Sequence, residues 1–334
     1  MVPSSARHHL GAVPRHLTYS QSSTLGSGID HWEESCPTSV IHPAIRVAWF
    51  LMGLCLLAGF PVILHAAPLS VFVSILPQKY FVERIGGAHV RVSVMVGPGQ
   101  SPATHAPTPK QMAALSQATV YFRIGVSFED AWLGRIAQAN PRMTIVDNRA
   151  RVRLHAIEYG APSRNSTPGR AHGRYDPHIW TAPPLVKVIA AQIRDVLVDL
   201  DPRHTAEYAA NFAEFARDLH QLQQAIWELL PKEKVGRFMV FHPSWGYFAD
   251  TYGLRQIPLE QGGKEPSAKQ LARLIEQAKR EGMRVIFVQK QFSRRNAEIV
   301  ARAISGKVIA LDPLAEDYLQ NMRRVTQSIA EGMD

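Results

Sequence analysis

The sequence predicts an α/β protein of two lobes, each a mostly parallel sheet flanked by helices, joined by one long rigid helix. Three observations carry this expectation. Short apolar, β-branched runs alternate with segments of helical periodicity, as parallel βαβ units require. The runs fall into two sets. Between the sets lies one apolar stripe long enough to be a single helix reaching both.

The first set is Val71–Leu76, Val90–Val96, Thr119–Ile124 and Met143–Val146, with Lys110–Gln117 helical between the second and third runs. Residues 160–174, GAPSRNSTPGRAHGR, are rich in Gly, Pro and Ser and read as a mobile surface loop, after which a helix begins near Pro184. The stripe follows: Tyr208, Phe212, Phe215, Leu219, Leu222, Ile226 and Leu229 repeat at spacings of 4, 3, 4, 3, 4 and 3, a single helical face. Bounded by Asp201-Pro202 and Pro231, that helix is expected to run roughly 28 residues, or about 40 Å at 1.5 Å per residue. The second set is Phe238–Phe241, Val285–Val288 and Val308–Leu311, with Ser267–Glu281 helical. The expected organisation is an N-terminal α/β lobe over 68–202, a linking helix over 203–230 and a C-terminal α/β lobe over 231–334.

The start of the chain leads us to expect export. Residues 47–64, VAWFLMGLCLLAGFPVIL, are the one long apolar run, preceded by Arg46 and followed by His65-Ala66-Ala67. A basic residue, an apolar stretch and a small-residue end make a secretory signal peptide, here 46–67. A transmembrane anchor of the same length is the rival, and Gly53, Gly59 and Pro61 within the run argue against it. Residues 1–45 form a polar leader that no signal peptide needs, and we expect translation to start near residue 46. The exported chain is then about 267 residues long and periplasmic.

Composition excludes several functions. The 334 residues carry 37 Lys+Arg against 28 Asp+Glu, a net charge of +9, and 46% hydrophobic residues, enough for a large core. The charge survives removal of residues 1–67, which hold three basic and three acidic residues. Cys36 and Cys55 both precede residue 68, so the exported chain has no thiol chemistry, no Cys-ligated zinc and no disulfide. Basic residues are scattered without an accompanying aromatic stripe, so nucleic acid is not an expected partner.

Ligands of open α/β sheets bind outside the carboxyl ends of the strands. In the second half, FMVF is followed by His242, VIFV by Gln289 and VIAL by Asp312. In the first half, His105 lies in SPATHAPTP beyond the second strand, and His178 lies in DPHIW before a helix. Together these five can line one cleft, and imidazoles with a carboxylate are the ligands that a divalent transition metal takes. Each alone has an ordinary explanation as a surface, capping or hydrogen-bonding residue. His89, His155, His172, His204 and His220 read as surface or helix-face residues.

The segments SPATHAPTPKQM (101–112), DPHIW (176–180), FHPSWGYFADTYGL (241–254), EPSAKQL (265–271), FVQKQFS (287–293) and LDPLAEDYLQNM (311–322) change those odds. In order and spacing they resemble the cluster A-I substrate-binding proteins of zinc and manganese ABC transporters, over nearly the whole exported chain. The resemblance implies two α/β lobes joined by a rigid helix, one Zn2+ or Mn2+ ion bound between them, and delivery to a membrane permease. It maps the family's second and third histidine ligands onto His178 and His242 and its carboxylate ligand onto Asp312. The first histidine does not match: Ala103 occupies the ligand position and His105 the aromatic one. Residues i and i+2 of an extended segment face the same side, so His105 or a water completes the set. Gln289 stands where many relatives carry a carboxylate and is expected to hydrogen-bond a ligand rather than be one. The long His- and acid-rich loop of many zinc importers is not found in residues 160–174.

The expected activity is therefore capture without chemistry by a monomer, with affinity falling as protons compete for the imidazoles. Two rivals remain. An exported metallohydrolase would leave a metal position for water and use Glu265 or Asp317 as base, although no HExxH motif supports it. A binding protein for a metal chelate or another small ligand would draw on the basic charge.

Overall fold

The computed structural model describes residues 67–156, 175–230, 236–260 and 264–333. The leader, the bulk of the signal peptide and the 160–174 loop lie outside these residues. Residues His65–Asp334 form one compact unit.

Its first sheet holds β1 (Leu69–Ile75), β2 (Val90–Val96), β3 (Val120–Arg123) and β4 (Thr144–Asp147), all parallel, in the order β2-β1-β3-β4. Its second holds β5 (Arg237–Val240), β6 (Arg255–Pro258), β7 (Val285–Val288) and β8 (Lys307–Ala310), again parallel, in the order β6-β5-β7-β8. The two sheets thus share one topology, a repetition that the sequence does not display. β6 was not expected: Arg-Gln-Ile-Pro is short and half polar, and it survives as a strand because it lies at a sheet edge, where Pro258 ends it.

The helices are α1 (Leu76–Gly86), α2 (Pro109–Leu115), α3 (Ser127–Ala139), α4 (Pro183–Leu200), α5 (Thr205–Leu229), α6 (Gly246–Thr251), α7 (Ala268–Arg280), α8 (Arg295–Ala303) and α9 (Tyr318–Met333). Capping residues start two of them. Thr108 Oγ1 accepts from Gln111 N at 3.2 Å and Ser267 Oγ accepts from Gln270 N at 3.4 Å, each with the Gln side chain reaching back to the cap.

The joining helix α5 has 25 residues rather than 28, because Pro202–His204 forms a separate 3-10 turn ahead of it. Tyr208, Phe215, Leu219, Leu222 and Ile226 are buried as the stripe requires, whereas Phe212 is half-buried and Leu229, at the last turn, is exposed. The buried face packs into a core shared by both lobes: Phe81 and Tyr318 meet edge to face at 5.0 Å, with Phe215 5.9 Å from Phe81. Alternation along β5 and β7 divides the second sheet between two cores. Phe238, Val240, Val285 and Phe287 face the shared one, while Met239, Phe241, Ile286 and Val288 face a smaller core under α7 and α8. Among the described residues no helix is long and apolar enough to cross a membrane.

Candidate metal centre

In both sheets the chain reverses its order of addition beside the first strand, at β1/β3 and at β5/β7. Such switch points open a crevice at the strand ends. At β1/β3 the crevice is closed by a buried polar network. Glu129 is fully buried and accepts hydrogen bonds from Ser74 Oγ (2.6 Å), Arg123 Nε (3.0 Å), Ile124 N (2.9 Å) and Gly125 N (2.8 Å). Gln78 donates to Asn148 Oδ1 at 2.8 Å beside it. At β5/β7 the chain instead places His242 two residues past β5 and Gln289 immediately past β7, with Asp312 two residues past β8.

Two imidazoles meet there. The rings of His178 and His242 lie 5.3 Å apart at 73°. His178 Nδ1 is 2.6 Å from Asp176 Oδ1, which also accepts the His178 backbone N–H at 2.9 Å. His242 Nδ1 is 2.9 Å from Glu260 Oε2, a carboxylate only 5% exposed. A carboxylate acceptor at Nδ1 holds the proton on that nitrogen and leaves Nε2 as the lone-pair donor, the arrangement that orients metal-ligating histidines. Both rings are further fixed by aromatic neighbours: His242 stacks on Phe292 at 4.9 Å and His178 tilts against Trp180 at 5.2 Å.

The third group is anchored to the same corner. Asp312 Oδ1 accepts from Leu314 N at 2.9 Å, its backbone carbonyl accepts from Asn321 Nδ2 at 2.7 Å, and its Oδ2 lies 3.6 Å from Lys290 Nζ. The fully buried Trp180 donates Nε1–H to the Pro313 carbonyl at 2.7 Å, joining the residue after Asp312 to the turn after His178. Tyr247 ties the other side, donating to the Asp176 carbonyl and accepting from His155 N, both at 2.9 Å. Burial pushes the Tyr247 hydroxyl up to about 12, so it stays a proton donor. Gly246 allows this approach, since a Cβ there would fall 2.8 Å from Asp176 Oδ2.

Gln289 is buried, and its Nε2 donates to the His242 carbonyl at 3.4 Å and to Ser244 Oγ. It braces the turn that carries His242. His105 stands apart: its ring packs edge-on against Phe128 at 5.0 Å, its Nε2 is buried without a hydrogen-bond partner, and burial lowers its affinity for a proton. Ala103 is exposed. Among the described residues, the ligand atoms of His178, His242 and Asp312 do not all lie within 4.8 Å of one another, so this crevice is wider than a closed coordination shell.

Asp176, Glu260, Trp180, Tyr247 and Lys290 were not singled out in the sequence. Asp176 was visible two residues before His178. Glu260 was hidden by the unrecognised β6, which carries it to His242 across 18 residues. Of the bases that a hydrolase would need, Glu265 accepts from Asn296 Nδ2 at 3.1 Å and Asp317 pairs with Arg324 at 2.6 Å.

Comparison with known proteins identifies the family. Residues 71–332 match the family model ZnuA, the periplasmic component A of a zinc-uptake complex. A crystal structure of ZnuA is similar at 40% identity with a TM-score of 0.74, over 80% of this chain and 100% of that one. A zinc-bound ZnuA deletion mutant is similar at 41% identity with a TM-score of 0.73, over 80% and 98%. The zinc-binding protein AdcA of Streptococcus pyogenes is 24% identical over 292 residues, covering 80% of this chain and 56% of AdcA. Of these relatives, ZnuA is named for zinc uptake and AdcA for zinc binding.

Proposed function

Because the chain belongs to the ZnuA family of periplasmic zinc-uptake components, we propose that it is an extracytoplasmic solute-binding protein that captures one Zn2+ ion between its lobes and hands it to the permease of an ABC importer. The observation that carries this reading is the pair His178 and His242, each with Nδ1 held by a carboxylate so that both Nε2 atoms are free to bind. Asp312 supplies the anionic oxygen. The ion is cargo, and no covalent step is involved: two neutral imidazoles and one carboxylate replace part of its hydration shell. Nitrogen-rich ligation suits zinc better than it suits manganese, which favours carboxylate and water.

A small inward movement of the ligand-bearing turns closes the shell around the ion. His105 supplies the fourth donor, since its buried, unpartnered Nε2 gains the partner that burial otherwise denies it. Tethers between the two sides, Trp180 to Pro313 and Tyr247 to Asp176, limit how far the crevice can open. Release follows when the permease strains those tethers and separates the ligands. The protein works as a monomer, takes no nucleic acid and is not an enzyme.

Zinc affinity of the His65–Asp334 unit, measured by competition with a chromophoric chelator, tests this. His178→Ala, His242→Ala and Asp312→Ala should each abolish tight binding, and His105→Ala should weaken it. If the first three bind zinc as tightly as the parent, the crevice is not the zinc site. If only His105→Ala is silent, water holds the fourth position.

A further inference from the structure

Away from the crevice, the 3-10 turn Gly87–His89 between α1 and β2 meets the turn Pro202–His204 and the first turn of α5. Four chemistry-bearing side chains gather at this corner. His89 Nε2 is 2.7 Å from Glu207 Oε2, and His204 Nδ1 is 2.5 Å from Asp201 Oδ2. The two rings stack with centroids 3.6 Å apart at 16°. Ligand atoms of His89, His204 and Glu207 all lie within 4.8 Å of one another, and among the described residues this is the one group of three that does so.

An ordinary surface ion pair would not be built this way. Asp201 is 6% exposed and also accepts from Tyr208 OH at 3.1 Å, so its carboxylate is fixed before it meets His204. By taking Nδ1 it leaves His204 Nε2 as the free donor, the same buttressing that Asp176 gives His178 and Glu260 gives His242. Both histidine side chains keep about a quarter of their surface open, 23% and 25%, so an ion can reach them directly from solvent. Two nitrogens and one oxygen suit zinc, and comparable divalent ions of the later transition series, rather than calcium or magnesium.

We propose that His89, His204 and Glu207 form a second divalent transition-metal site, held by His89 Nε2, His204 Nε2 and a Glu207 carboxylate oxygen, with water completing the shell. The ion replaces the hydrogen bond between His89 Nε2 and Glu207, and the Nε2 proton passes through solvent to His89 Nδ1, so that the ring stays neutral. Because lone pairs of stacked rings lie in near-parallel planes, one imidazole turns about χ2 to aim at the ion, and Glu207, 61% exposed, is free to follow. These costs make the site weaker than the crevice. When occupied, it clips the corner before β2 to the start of the joining helix. This inference is independent of the cargo site.

Equilibrium dialysis of the His65–Asp334 unit against Zn2+, followed by metal analysis, tests it. The parent should bind two equivalents, the second more weakly. His89→Ala, His204→Ala and the milder Glu207→Gln should each reduce affinity for the second equivalent at least tenfold and leave the first unchanged. His242→Ala should keep that weaker equivalent, which separates failure of the crevice from failure of this site. With Co2+ as probe, the visible d–d absorption of the weaker step should vanish in His89→Ala. Circular dichroism of each variant confirms the fold. A parent that binds one equivalent, or a second equivalent indifferent to all three substitutions, overturns the proposal.

Discussion

Glu260 offers the sharpest test of how the crevice is tuned. In Glu260→Gln the amide oxygen still accepts the Nδ1–H of His242, so ring orientation and tautomer survive and only the charge is removed. The carboxylate oxygen is 2.9 Å from Nδ1. Adding the width of an imidazole and a zinc–nitrogen bond of about 2.0–2.1 Å puts the ion about 6–7 Å from that charge. Coulomb attraction between −1 and +2 at that distance is about 1 kcal/mol with the screening of water and about 5 kcal/mol at an effective dielectric of 20. The crevice is partly open, since His242 keeps 27% of its side-chain surface, so the effect belongs toward the lower end. Kd for Zn2+ should rise about 10- to 100-fold, the range found when such carboxylates are removed. Chelator competition at pH 7.5 reads this directly, and thermal unfolding of the metal-free variant confirms that it is folded. A change smaller than twofold would show that Glu260 only braces the turn, and would refute the reasoning.

Two further outcomes follow from charges near and far from the crevice. Lys290 Nζ lies 3.6 Å from Asp312 Oδ2 on a side chain that is 66% exposed, so the ammonium must swing aside when a cation arrives. An exposed pair of this kind is worth about 0–1 kcal/mol; Lys290→Gln should therefore tighten zinc binding by up to about fivefold at low salt and less at high salt, and weaker binding would be the contrary result. Burial works to raise the Asp147 carboxyl, but hydrogen bonds from Arg149 and the charge of Arg123 overcome it and hold it below its ordinary 3.8. The unfolded chain takes up that proton first, so the stabilisation is complete above about pH 4 and is lost as pH falls through the folded value. Asp147→Asn should lower the denaturation midpoint at neutral pH and flatten its fall at acid pH; an unchanged acid limb counts against the assignment.

The architecture was legible because it rests on periodicity. The period of two in β5 and β7 and the 4-3 spacing of α5 survive in single-sequence form, since each residue's burial is set by its own element. Details that depend on neighbours were less visible. β6 hides because an edge strand needs apolar residues on only part of its length, and with it went Glu260. Leu229 belongs to the stripe by spacing, yet it projects past the end of the packed face. The crevice residues His178, His242 and Asp312 were found through strand ends and motif order, whereas the departure at Ala103 shows only as a side chain left in solvent. His89 and His204, expected as surface residues, meet solely because the corner before β2 folds onto the start of α5, and no local pattern announces a contact of that range.

The closure of Tyr318 onto Phe81, which in turn packs against Phe215, has a kinetic consequence. Lys79 and Glu316, which pair beside it, stand 237 positions apart in the chain. Contacts of such separation are slow to form, because a long loop must close before any of them stabilises the product. The first sheet can assemble early, but its helical layer lacks a wall until α9 has been synthesised. The packing of α1 against the first sheet is thereby tied to a partner 237 positions later in the chain, so a substitution in the first turn of α9 should loosen a helix made long before it.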